Sequence, residues 1–137
     1  MIDNSIIQAD LIAWLKARAT LTALLATNKE VREDQYQGTR FDYPAVRLSL
    51  TQQIAILNAE QCDLARLNFS IRSYAEGGSS RVADQIAGEV NRLLHRYNFH
   101  GSGWYSWFRS AGLAGATRTG EKLWRAEAFF TGVIYLM

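Results

Sequence analysis

Tyr43-Pro44-Ala45-Val46-Arg47-Leu48-Ser49-Leu50-Thr51 is the stretch on which the fold turns. Val46, Leu48 and Leu50 alternate with Arg47, Ser49 and Thr51, the period-two pattern of a strand that buries one face. Pro44 suits the first residue of such a strand, where a missing N–H breaks no ladder bond. A second alternation follows, with Ala65, Leu67, Phe69 and Ile71 on one face and Arg66, Asn68, Ser70 and Arg72 on the other. The two runs predict antiparallel neighbours. Residues 54–60 between them show no clear period.

Working outward, the N-terminal side reads as helix. Ser5-Ile6-Ile7-Gln8 has capping-box spacing, and Ile7, Leu11, Trp14 and Leu15 then form one apolar stripe. The stripe falters at Ala19-Thr20, where Thr20 is a candidate cap for a short second helix through Leu21, Leu24 and Leu25. Residues 30–43 are polar and predict a loop with a short edge strand near Val31. On the C-terminal side, Gly77-Gly78-Ser79-Ser80 predicts a turn and helix cap. Val82, Ala83, Ile86, Ala87, Val90, Leu93, Leu94 and Tyr97 share one side of the helix that follows. Asp84 in its first turn and Arg92, His95 and Arg96 near its end suit the helix dipole.

Residues 97–108 hold six of the sixteen aromatic residues. Gly101 and Gly103 mark a turn, and residues 104–109 predict a strand. The glycine-punctuated residues 111–120 read as a loop or hairpin tip, and residues 122–136 as a last strand with Trp124, Ala126, Ala128, Phe130, Ile134 and Leu136 on one face. The expectation is an α+β fold, one domain over residues 1–137, with two main helices packed on a mostly antiparallel sheet in the order α, β-β, α, β-β.

Composition narrows the function classes. The 137 residues, 48% hydrophobic and 20% charged, suit one domain that folds without disulfide or metal. The single cysteine, Cys62, forms no internal disulfide and suggests a reducing compartment; no secretory signal or membrane-spanning run is expected. Twelve of fifteen cations are arginine, a bias toward contact surfaces. Residues 1–63 carry net −2 and residues 64–137 net +4, an asymmetry that suits head-to-tail docking of copies.

Candidate chemistry is sparse. Cys62 with His95 or His100 is the conceivable nucleophile and base, yet no signature of a cysteine enzyme surrounds it. One cysteine and two histidines are too few for the usual zinc set, and Glu33, Asp34 and Asp42 lack calcium-loop spacing. Gly77-Gly78-Ser79-Ser80-Arg81 at a helix start has neither the P-loop lysine nor a dinucleotide fingerprint. Aromatics near Arg96 and Arg109 raise a nucleic-acid reading, which net charge +2 weakens. No catalytic residue, cofactor or metal is expected, and the chain is not read as an enzyme.

The order of elements carries a resemblance. The N-terminal amphipathic helix with its trailing Leu21-Thr22-Ala23-Leu24-Leu25 turn is followed by Tyr43-Pro44-Ala45-Val46-Arg47-Leu48 opening a strand. Phe69-Ser70-Ile71-Arg72-Ser73-Tyr74-Ala75 then leads through glycines into a second helix, and a last strand ends Phe130-Thr131-Gly132-Val133-Ile134-Tyr135. Over most of its length the chain resembles the tail-terminator or tail-completion proteins of tailed bacteriophages. The resemblance implies a structural virion protein, assembled in the host cytoplasm and located at the tail or neck. Its copies would form a ring, usually of six, that caps the head-proximal end of the tail tube, stops polymerisation and offers a head-joining surface. The implied partners are further copies of the chain, the tail tube protein and a head-tail connector or neck protein. No membrane or specific nucleic acid is implied, although DNA would pass through the ring. Arg109, Thr117, Arg118 and Arg125, around residues 111–120, are the candidate partner-contact residues. The alternatives are another neck or tube-like component, or a small nucleic-acid-binding module.

Overall fold

The computed structural model describes residues 2–27, 30–33, 42–59 and 62–136; side chains at 57–59 and 62–63 are not among those described. The helix α1 (Asn4–Lys16) begins two residues earlier than a Ser5 cap implies. Asp3 is its cap, accepting from the Ser5 backbone N–H at 2.8 Å, because an ionised carboxylate there satisfies an orphan donor. The stripe breaks where expected: α2 (Ala19–Thr22) follows as a separate turn, with Arg18 rather than Thr20 at its N-cap position.

Three strands come next. β1 (Val31–Glu33) pairs parallel with β2 (Ala45–Ala59), and β2 pairs antiparallel with β3 (Cys62–Glu76). The aperiodic residues 54–59 belong to β2. One-residue bulges at Thr51 and Ile56 shift the register and scramble the alternation that the sequence would otherwise show. Residues 34–41 of the polar segment, and Glu60 and Gln61, lie outside the described residues.

The turn Gly77-Gly78 leads to α3 (Arg81–Leu94). Ser79 Oγ accepts from the Arg81 N–H at 3.2 Å, while Gly77 donates to the Lys122 carbonyl at 2.8 Å, so the turn is spent on structure. After α3 come β4 (Asn98–His100), β5 (Trp104–Trp107), β6 (Arg109–Gly120) and β7 (Leu123–Leu136). The single strand expected at residues 104–109 is split at Phe108. Residues 111–120, read from their glycines as a loop, form most of β6 instead. Their backbone pairs along β7 from Phe129 to Leu123, with bulges that hide the period. Small residues weaken a strand's propensity but do not prevent pairing with a well-patterned neighbour.

The sheet runs β1-β2-β3-β7-β5-β4, with β6 continuing along the β7 edge that β5 occupies first. The architecture is thus α+β, with one seven-stranded, mostly antiparallel sheet. Ile7, Leu11 and Leu15 of α1 and Ile86, Val90 and Leu94 of α3 join Val46, Leu48, Leu67, Phe69, Ile71, Ala128, Phe130 and Ile134 in one core. Both helices therefore cover the same sheet face. Most of the aromatic cluster is core as well: Phe99 stacks on Trp104 at 5.2 Å and meets Phe108 at 5.5 Å, and Phe69 packs on Phe130 at 5.3 Å.

Two polar clamps fix the ends of this layer. Asp10 of α1 accepts from the Ser102 N–H and Trp104 Nε1, each at 2.8 Å, and from Ser102 Oγ at 2.9 Å. Partial burial pushes its carboxyl pKa up, but those three bonds outweigh it and hold the pKa below the usual carboxylate value. At the β6 border, Asp84 Oδ1 accepts from the Ala116 N–H at 2.8 Å and His95 Nδ1 from the Ser110 N–H at 2.9 Å. Side chains of α3 and its C-cap thus occupy donors on the free side of β6.

Arg47 departs from the alternation. Placed by its neighbours on the solvent-facing side, it is 1% exposed, with Nη2 3.0 Å from Glu30 Oε2 and Nη1 2.6 Å from the Glu30 carbonyl. Its cross-strand neighbour is Arg72, which pairs instead with Glu127 of β7 at 3.1 Å. Each arginine of this like-charged pair has its own carboxylate.

Candidate interaction surface

Among the described residues no helix packs on the second face of the sheet, which is open at the end formed by β3, β5, β6 and β7. Directly opposed residues of antiparallel strands point to the same side, so register assigns this face. Leu64 opposes Tyr135, Arg66 opposes Val133 and Asn68 opposes Thr131 between β3 and β7. Arg109 of β6 opposes Thr131 on the other flank, and Tyr105 of β5 opposes Tyr135, their rings stacked at 5.0 Å.

These side chains frame a groove of about 670 Å³ lined by Arg66, Asn68, Trp107, Arg109, Val133 and Tyr135, among others. Its apolar part is conspicuous because Trp107 is 56% exposed, the one tryptophan turned out of the aromatic cluster. Gly132 makes the groove's shape possible. A Cβ there would lie 2.6 Å from Ser106 Oγ, 2.8 Å from Phe108 Cδ1 and 3.3 Å from the Trp107 carbonyl. The corner between β5 and β6 sits directly on this glycine, which aims Trp107 outward. Arg66 and Arg109 are exposed, and among the described residues neither has an ion-pair partner.

The four residues singled out from the sequence do not form one cluster. Arg109 belongs to this groove. Thr117 opposes Arg125 on the uncovered face near the other end of β7, and Arg118 opposes Trp124 on the helix-covered side. The β7 partners of Arg109 and Thr117, Thr131 and Arg125, are six residues apart, about 20 Å along the strand. Arg66, Trp107 and Tyr135, which line the groove, are not among the residues singled out from the sequence. The second alternation already put Arg66 on the polar face, but nothing local in the sequence places it across β7 from Arg109.

The residues considered for catalysis are used otherwise or fall outside the described atoms. His95 accepts a backbone hydrogen bond, His100 stacks on Tyr105 at 5.9 Å, and the Cys62 side chain is outside the described set. Among the described residues no group of three His, Cys, Asp or Glu is placed to hold a metal ion. Of the described helices, none is long and apolar enough to cross a membrane.

No protein-family model and no curated protein matches the chain. Solved structures do. A chain of the virion of a native gene transfer agent particle superposes with a TM-score of 0.73 at 18% identity, covering 96% of this chain and 96% of that one. A second solved chain gives a TM-score of 0.61 at 19% identity, covering 98% of this chain and 94% of the other. At these identities the likeness establishes the fold: the whole α+β arrangement, from α1 to β7, is one that other chains of nearly the same length adopt.

Proposed function

We propose that this chain is a structural virion protein without enzymatic activity. Its copies, each a single domain, assemble into a ring, hexameric in the simplest case, that caps the head-proximal end of a phage-type tail tube. The ring stops tube polymerisation and presents the head-joining surface. The observation that carries this reading is the likeness over nearly the full length of both chains to a component of a gene transfer agent virion. The sequence's own element order resembles tail terminators, and the uncovered sheet face supplies the unpartnered surface that a ring component needs. The same likeness also suits another neck or tube-like component, which differs only in where the ring sits.

In this reading the β6–β7 end of the sheet faces the tube, presenting Thr117 and Arg125 from one face and Arg118 from the other, and Arg109 lies at a different interface. The test is Arg118→Glu with Arg125→Glu, scored for tube length and head joining in assembled particles. Overlong or unjoined tails are expected; normal-length tails and normal infectivity refute the assignment. Locating the chain in the particle, at the tube end or within the tube, separates the two structural roles.

A further inference from the structure

A net charge of +2 hides an uneven distribution. Register puts Arg47, Arg72 and Glu127 in one row across the open face, and there the cations are answered: Glu127 holds Arg72, as Glu30 holds Arg47. Arg66 and Arg109 have no such partner among the described residues, and no carboxylate lines the groove between them. They sit on β3 and β6, one on each side of β7, opposite Val133 and Thr131. From strand spacing and rise, their Cα atoms are about 12 Å apart. Two guanidinium forks thus bracket a cavity of about 670 Å³, within the range of small-ligand sites. Charge complementarity calls for an anionic occupant.

The rings beside those forks narrow the kind of anion. His100, Tyr105 and Tyr135 stand in a row across β4, β5 and β7, stacked at 5.9 Å and 5.0 Å. Trp107 lies two residues from Tyr105 on the same face of β5 and is 56% exposed, and Tyr135 is 38% exposed. Exposed rings next to unpaired arginines suit planar bases on a phosphate chain, because every base offers a face to stack and every phosphate a charge to neutralise. Asn68 and Thr131, opposed on the floor, add hydrogen-bonding groups. An acidic peptide has less to hold. β3, β7 and β5 are interior strands of the sheet, so the floor has no open edge with which an extended backbone could pair.

We infer that the groove binds single-stranded nucleic acid without sequence preference, with bases against Trp107 and Tyr135 and phosphates at Arg66 and Arg109. Stacking needs a free base face, so a duplex meets only the arginines. The site is contained in one protomer and requires no ring, and it stands or falls separately from the assembly proposed above.

The probe is a labelled oligothymidylate titrated with the purified chain and followed by anisotropy and by tryptophan quenching. Binding is expected at about 1–100 µM at physiological salt, weakening as salt rises with a log–log slope near about −1.4, from about −0.7 for each of two phosphate contacts. Arg66→Ala with Arg109→Ala should abolish both the binding and its salt slope. Trp107→Ala should weaken binding about tenfold or more, whereas Trp107→Phe should keep it within about threefold and lose most of the quenching. Circular dichroism of each variant checks that it is folded. Four results overturn the proposal: a duplex of equal length bound as tightly as the single strand, poly-glutamate competing equally per charge, affinity indifferent to Arg66 and Arg109, or no binding tighter than about 1 mM at low salt. Native mass spectrometry of the same samples reads ring formation independently.

Discussion

Glu30→Leu is the sharpest test of how the first strands are held. Glu30 is 3% exposed and joins two cations, Arg47 Nη2 at 3.0 Å and Arg32 Nη2 at 3.6 Å. Removing the carboxylate takes from the buried Arg47 guanidinium its ionic partner at 3.0 Å and keeps its bonds to the Glu30 carbonyl at 2.6 Å and the Val46 carbonyl at 2.9 Å. Losing one partner of a buried pair costs about 3–5 kcal/mol, since the other charge keeps its desolvation penalty. Against a total stability of about 5–15 kcal/mol, that is a large fraction. At about 3–5 °C per kcal/mol for a domain of this size, the melting temperature should fall by about 10–25 °C. Arg47→Met alone should cost a similar amount, because Glu30 then keeps only its longer contact with Arg32. Combined in one chain, Glu30→Leu and Arg47→Met should sit within about 1 kcal/mol of the parent, as apolar side chains of similar volume often replace buried pairs without loss. Urea melts of all four proteins give the coupling energy. A Glu30→Leu cost below about 1 kcal/mol, or a double variant as unstable as either single, refutes the claim that a desolvated pair fastens residues 30–33 to β2.

Two further outcomes follow from the packing. Asp10→Asn should cost about 1–3 kcal/mol at neutral pH, because three donors from Ser102 and Trp104 converge on its carboxylate. Since folding lowers the Asp10 pKa, the ionised carboxylate stabilises the fold above its unfolded value near 3.9. That contribution disappears as pH falls through the folded value, so thermal melts of parent and variant should converge below about pH 4; a gap independent of pH sinks the argument. Gly132→Ala should cost about 1–3 kcal/mol through overpacking against Ser106 and Phe108, and should shift Trp107 fluorescence; an unchanged melt means the corner relaxes freely.

How much was legible in the sequence depended on where alternation survives. Residues 45–50 kept a clean period because their pairing with β3 is regular, residues 65–72 because their pairing with β7 is unbroken, and α3 kept its stripe because one face packs on the sheet. Residues 111–120 were not legible. Glycine and alanine there imitate a loop, and only the β7 backbone, remote at one end in sequence, supplies the bonds that make them a strand. Arg47 misled for a related reason: its position in the alternation is a solvent position, and burial came from Glu30, a residue outside any pattern. Arg109 was found by its charge and its place beside an aromatic run. Its companions in the groove were not, because a surface assembled from β3, β5, β6 and β7 has no contiguous signature.

The hydrogen bonds from Ser110 and Ala116 to His95 and Asp84 make the two borders of this sheet unequal. Helix side chains take up two donors along β6, while among the described residues β2 beyond Leu48 has no strand on its far side. A protein with two bare borders can add copies strand to strand without limit and grow into fibres. With Ser110 and Ala116 already bonded, sheet extension through β6 is disfavoured, which suits the proposed ring, in which copies would meet through other surfaces. The pair Asp84 and His95 thus takes two β6 donors out of reach of strand-to-strand pairing, on the border opposite β2.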